Sequence, residues 1–281
     1  MPHRRSRPIG VFDSGVGGLT VVSAVLSRLP HEHIVYLGDT ARVPYGTRSA
    51  GTVLKYSRNA ARFLLRHDVK LLLIACNTAS AAALPGLRAE LPVGVLGAVE
   101  PGAQAAAHVT RSGEVGVLGT LATIRSGAYE RALLALSPSL RIHVQPCPLL
   151  VPIVEEGWND ESDPVSQLVV RRYLHDLRER APRLDTLVLG CTHYPLLRPT
   201  LQSVASELWG HPVTLVDSAE AMAVATEKLL SDQDLLATGD ESVDLHPTDR
   251  LRCCVTDEAR VADVAARFLG RPLPQVELVD L

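Results

Sequence analysis

Cys76 and Cys191 sit in matching surroundings, the first in LLLIACNTAS and the second in LVLGCTHYPLL. Each follows an apolar run that reads as a buried strand, and each precedes a small polar residue and a helical pattern. A thiol at a helix N-terminus gains thiolate character from the helix dipole and the unpaired N–H groups. Asn77, Thr78 and Thr192 are donors suited to a charged ligand. His193, two residues after its thiol, can orient it or exchange a proton with it. IGVFDSGVGG from Ile9 is similar to VGVLGTLATI from Val115, and IVYLGD from Ile34 to IHVQPC from Ile142. The two stretches and the cysteines recur at offsets of 106, 108 and 115 residues, which points to a duplicated half-chain. Two thiols facing each other across a pseudo-twofold cleft suit chemistry on both faces of one carbon.

Other chemistries fit less well. Cys191 and His193 form half of a zinc site, but such a site needs three or four ligands and no C-x-x-C exists, so no metal is expected. A protease-like nucleophile with His193 as base leaves Cys76 without a task. Cys147, Cys253 and Cys254 read as small buried hydrophobes. DSGVGGLT, from Asp13 to Thr20, ends a strand and opens a helix. Its Gly15, Gly17 and Gly18 allow close backbone approach and positive φ, with N–H groups that suit a carboxylate. The G-x-G-G spacing is not a dinucleotide fingerprint. In YLGDTARVPYG, Asp39 reads as a turn cap, and Tyr45 and Gly46 fit a loop closing on ligand. Glu155 and Glu156 in VPIVEEGW read as solvated helix charges on composition alone.

These residues need a frame. Strands are expected at Ile9–Asp13, Ile34–Asp39, Leu71–Ala75, Val93–Gly97, Val115–Gly119, Ile142–Pro146, Thr186–Gly190, Val213–Val216 and Arg252–Val255. Helical patterns lie between most of them, among them Ser80–Glu90, Ser126–Ala135, Leu196–Leu208 and Ala219–Leu230. Short apolar runs alternating with helices predict an α/β fold of two pseudo-symmetric lobes. Each lobe is a mostly parallel sheet flanked by helices, with the site in the inter-lobe cleft. The first lobe is expected over residues 1–98 plus 210–281 and the second over 99–209. Pro44, Pro85, Pro101, Pro148 and Pro195 are expected at element edges. HPTDR near residue 246 reads as a polar connection.

With 281 residues, 46% of them hydrophobic, the chain can bury a large core. A net charge of −3 and a pI of about 6.4 give no support for nucleic acid or a membrane surface as partner. The basic MPHRRSR start reads as a solvated tail, because Asp13 and the glycines interrupt any signal-like apolar run. No run reaches the roughly 18 apolar residues needed to span a bilayer, so the protein is read as cytoplasmic. An odd number of cysteines, five, argues against a disulfide framework.

Taken together, FDSGVGGLTV, YLGDTARVPYG, ACNTASA, GVLGTLATIRSGAY, VPIVEEG and LGCTHYPLL resemble the glutamate racemases of the aspartate/glutamate racemase superfamily, in that family's order and from about Ile9 to Leu197. The resemblance implies cofactor-free interconversion of L- and D-glutamate by Cys76 and Cys191, acting on opposite faces of the α-carbon. It implies that Asp13 and His193 assist the thiols and that Glu155 tunes His193. It implies that Asp13, Ser14, Tyr45, Gly46, Asn77, Thr78, Thr120, Thr123, Thr192 and His193 hold the substrate. It further implies a homodimer that supplies D-glutamate for peptidoglycan. An aspartate racemase is the alternative, one side-chain carbon away.

Overall fold

The computed structural model describes residues 2–238, 250–273 and 275–281. Most of the HPTDR connection therefore lies outside the described residues.

Among the described residues, ten strands form two fully parallel sheets. The first holds β1 (Ile9–Asp13), β2 (Ile34–Gly38), β3 (Leu71–Ile74), β4 (Gly94–Gly97), β9 (Leu251–Val255) and β10 (Val276–Leu278), in the order β10-β9-β2-β1-β3-β4. The second holds β5 (Glu114–Gly119), β6 (Arg141–Pro146), β7 (Thr186–Gly190) and β8 (Thr214–Asp217), in the order β6-β5-β7-β8. The run β2-β1-β3-β4 is thus repeated as β6-β5-β7-β8. One placement differs from the expectation: the strand after residue 210 joins the second sheet, where β8 pairs with β7, rather than the first. It is the counterpart of β4, and only β9 and β10 return to the first sheet.

The described residues also form α-helices α1 (Pro2–Arg5), α2 (Leu19–Arg28), α3 (Ala50–Leu65), α4 (Asn77–Glu90), α5 (Val99–Val109), α6 (Leu121–Arg125), α7 (Ala128–Leu136), α8 (Leu150–Glu155), α9 (Pro164–Arg180), α10 (Arg198–Trp209), α11 (Ser218–Asp232) and α12 (Val261–Leu269). α4 begins three residues earlier than expected, directly after Cys76, and runs through Pro85, which does not mark an edge. The helix expected over Ser126–Ala135 is α7, which starts two residues later because Gly127 takes φ = 65° at its N-cap; the short α6 precedes it outside the expected range. The N-terminal segment is tied down rather than free. The Lys70 ammonium, buried against Glu32, donates to the Arg5 carbonyl at 2.6 Å, and the Arg5 side chain pairs with Asp234. Cys253 and Cys254 point to opposite faces of the first sheet, into two separate apolar clusters, and Cys147 is fully buried.

Strand register places the chemistry-bearing residues. Phe12 pairs with Ile74, so Asp13 ends β1 beside the Ala75–Cys76 turn, and Ala75 N–H donates to Phe12 O at 2.9 Å. Gly119 pairs with Gly190, which sets Thr120 beside Cys191 in the second lobe. Open parallel sheets put their sites at these carboxyl ends.

Candidate active site

Cys76 is the N-cap of α4, and its sulfur accepts from Ala79 N–H at 3.4 Å. Its own S–H points to Ser14 Oγ at 3.4 Å. Sequence alone suggested that the helix start would favour the thiolate. Burial outweighs it: desolvation and the nearby Asp13 charge push the Cys76 thiol up to about 12, against the opposing Ser14 and Ala79 hydrogen bonds. The Cys191 charge adds to the rise, so the two sulfurs lie within electrostatic reach of each other.

Asp13 is fully buried, and burial raises its pKa although Gly15, His193, Gly18 and Ser14 oppose the rise. Gly15 N–H donates to its Oδ2 at 2.9 Å, while Oδ1 has no hydrogen-bond partner. The N–H groups of the glycine turn therefore cradle the protein's own Asp13 carboxylate. None of Gly15, Gly17 and Gly18 takes positive φ, contrary to expectation. They are needed for room. A Cβ on Gly18 would stand 2.4 Å from Asp13 Cβ, and one on Gly17 would stand 2.4 Å from Thr192 Oγ1 and 2.5 Å from His193 Nδ1. The turn is packed against the second lobe, and Thr20 Oγ1 shares its proton between Gly17 O at 2.9 Å and, across the same seam, Thr192 O at 3.2 Å.

Cys191 lies in a different setting. It is buried at the end of β7, and the chain continues into a short 3-10 turn, Tyr194–Leu197, before α10. No α-helix N-terminus meets this sulfur. Its neighbour is instead His193 Nδ1, 4.0 Å away, while His193 Nε2 faces Glu155 Oε1 at 2.9 Å. Burial lowers the pKa of His193, but the Cys191 and Glu155 contacts overcome it and raise the group to about 10. Hydrogen bonding to His193 correspondingly lowers Glu155, which is not the merely solvated charge that composition suggested. The first lobe supports this pair: the Phe268 ring stands edge-on to His193 at 4.8 Å, and Arg267 donates to Glu155 O at 2.9 Å.

Across the seam, Thr78 of the first lobe meets Thr120 and Thr123 of the second at 2.8 and 3.1 Å, and Thr120 and Thr123 are 2.9 Å apart. Three mutually bonded hydroxyls can turn together to donate to an entering carboxylate. Gly46 closes on them, since a Cβ there would meet Thr120 Cβ at 2.9 Å. Two expected substrate holders differ in detail. The Tyr45 hydroxyl donates to Asp39, and both polar atoms of the Asn77 side chain are engaged inside the protein. What these two positions can offer a ligand is backbone N–H. Asp39, expected as a turn cap, anchors the whole loop through Tyr45, Thr256 and Arg42. Sequence reading did not single out Thr20, Arg267 or Phe268, because nothing local distinguishes a residue that acts across a seam. No group of three or more His, Cys, Asp or Glu among the described residues is arranged to hold a metal ion, and none of the described helices is long and apolar enough to cross a membrane.

Two parallel sheets of repeated strand order thus each carry a buried thiol at the equivalent strand end. A family profile for Asp/Glu/hydantoin racemases matches residues 18–226. The glutamate racemase of Syntrophus aciditrophicus is 52% identical over 275 residues, covering 98% of this chain and 97% of the relative. A glutamate racemase isoform from Bacillus anthracis superposes with a TM-score of 0.88 at 39% identity, over 99% of this chain and 98% of that one. The Francisella tularensis glutamate racemase, solved in complex with D-glutamate, gives 0.87 at 34% identity over 98% of both chains. The chain belongs to the Asp/Glu/hydantoin racemase family, among its glutamate racemases.

Proposed function

We propose that this protein interconverts L- and D-glutamate without a cofactor, using Cys76 and Cys191 as the two acid/base groups on opposite faces of the α-carbon. The observation that carries the reading is the equivalence of β3 and β7 in the repeated strand order, each delivering a buried thiol to the seam between the lobes. In the L-to-D direction Cys191 takes the α-proton, supported by the His193 imidazolium, and the Cys76 thiol delivers a proton to the other face. In the reverse direction Cys76 is the base, and the open Oδ1 of Asp13 receives its proton.

The energetic demand suits such a site. A free thiol has a pKa of about 8.5, and an amino-acid α-proton is less acidic by more than about ten units, at ~1.4 kcal/mol per unit. A turnover of about 10 per second allows a barrier of only ~16 kcal/mol. Donors must therefore stabilise the charge developing on the carboxylate, and the N–H groups at the start of α4 with the threonine hydroxyls are suited to it. Glutamate rather than aspartate is supported by the relatives above. Likeness to bacterial racemases supports the wider reading of a cytoplasmic homodimer supplying D-glutamate for peptidoglycan.

The test is incubation of L- and D-glutamate, and of both aspartates, in deuterated water after dialysis against chelator and treatment with hydroxylamine. Racemisation of glutamate with deuterium at the α-carbon is the expected result. Loss of activity on either treatment, or faster turnover of aspartate, would overturn the reading.

A further inference from the structure

A buried hydrogen-bond chain links the two halves of the site through side chains that hydrogen-bond to neither sulfur. The Tyr129 hydroxyl on α7 donates to Asn77 Oδ1 at 2.7 Å, Asn77 Nδ2 donates to Ser218 Oγ at 3.3 Å, and Ser218 Oγ donates to Leu189 O at 2.9 Å. Asn77, Tyr129 and Ser218 are each at most 2% exposed, so no water competes along the chain. Its direction has no freedom. A carbonyl can only accept, so Ser218 must donate to Leu189 and accept from the amide N–H of Asn77. That leaves Asn77 Oδ1 facing Tyr129, whose hydroxyl must then donate. Burial raises Tyr129 and keeps that hydroxyl protonated.

Two members of the chain adjoin the thiols. Asn77 follows Cys76 directly, and Leu189 lies two residues before Cys191 on β7. The Tyr129 ring also fills the space beside Gly190, where a Cβ would come within 3.1 Å of Cε2. We infer that Tyr129 and Ser218 are positioning residues that set the separation of the two catalytic thiols by bracing Asn77 of one lobe against β7 of the other. This inference rests on the two-thiol reading above. Reacting atoms displaced by about 1 Å can lose ~10²-fold in rate. Removal of one bond of the brace should therefore act on the step that needs both sulfurs.

A glutamate analogue carrying chloride at the β-carbon separates one-base from two-base chemistry. One thiolate removes the α-proton, the electron pair forms the Cα–Cβ double bond, chloride leaves, and the second thiol takes no part. Tyr129→Phe and Ser218→Ala should lower kcat for racemisation about tenfold or more while elimination stays within about twofold of wild type, each normalised to folded protein. A parallel fall in both reactions would mean a purely structural role and would overturn the inference. So would unchanged racemisation, or a larger fall in elimination. Cys76→Ser and Cys191→Ser run alongside keep the two readings apart. If either retains wild-type racemisation the two-thiol reading fails; if both lose it and the Tyr129 and Ser218 variants show no differential, only the brace fails.

Discussion

The two thiols occupy equivalent strand ends but unlike chemical surroundings. Cys76 has a helix N-terminus, a serine hydroxyl and a buried carboxylate around it, and is held in its protonated form. Cys191 has no α-helix start and instead an imidazole, itself backed by a glutamate. The duplicated frame therefore copies position and leaves charge to be set locally: an anion, Asp13, serves one side and a cation, His193, the other. At rest one lobe presents a proton donor and the other a sulfur beside a proton-bearing ring. Under the proposed two-thiol mechanism that arrangement suits attack on L-glutamate, and one turnover exchanges the roles.

The largest effect expected from breaking this comparison comes from the thiols. Cys76→Ser and Cys191→Ser should each lower racemisation by about 10²–10⁴-fold, the range for loss of a positioned acid or base. The loss cannot be directional in kcat/KM, because enantiomers have equal free energies in water and the two directions must fall together. Elimination from the β-chloro analogue escapes that constraint. Cys191→Ser should retain elimination from the D-analogue and Cys76→Ser from the L-analogue. Equal loss with both analogues in both variants would mean a single base with a shared relay.

Much of this was legible in the sequence, and the failures have physical causes. Cys76 and Cys191 stood out because buried parallel strands are nearly continuous apolar runs, so strand ends are visible without a structure. The strand Thr214–Asp217 was assigned to the wrong lobe by following chain position, although the repeat demands a counterpart to Gly94–Gly97. The glycines of DSGVGG were visible as glycines, but their use was not. Only the folded seam reveals that Gly18 makes room for Asp13 and Gly17 for His193. Tyr129 and Ser218 carry no local signal, since their partners lie 52 and 141 residues away at Asn77.

A middle-sized effect is expected where the lobes touch. Gly17→Ala places a methyl 2.4 Å from Thr192 Oγ1 and 2.5 Å from His193 Nδ1, on the Cys191 side. Gly46→Ala reaches Thr120 Cβ at 2.9 Å, across the threonine cluster. Something must shift in both, but in the first it is the His193 imidazole beside Cys191. Gly17→Ala should cost up to ~10²-fold in kcat, and Gly46→Ala should act mainly on KM with a smaller loss. Steady-state kinetics on folded protein measures both; a Gly17→Ala enzyme with wild-type kcat would show that the seam opens without consequence for His193.

The smallest effect sharpens the contrast through stability. His193 is raised in the folded protein to about 10 from an ordinary 6.5. A group raised on folding binds its proton more tightly in the native state, so its stabilisation is complete below about pH 6.5 and is lost as pH rises through about 10. Cys76, raised from 9.0 to about 12, has the same sign but loses its contribution only at higher pH. Between pH 7 and 10 the two lobes should therefore differ. The melting temperature of the wild type should fall across that window, by about 2–4 °C for each kcal/mol lost. His193→Asn should start lower and run flatter, whereas Cys76→Ser should keep most of the wild-type slope. Glu155→Gln should lie between His193→Asn and wild type, since it removes one of the two contacts that hold the imidazolium. Parallel melting curves for His193→Asn and wild type would mean that the imidazole is neutral in the native state, and Cys191 would then lack the cation that distinguishes it from Cys76.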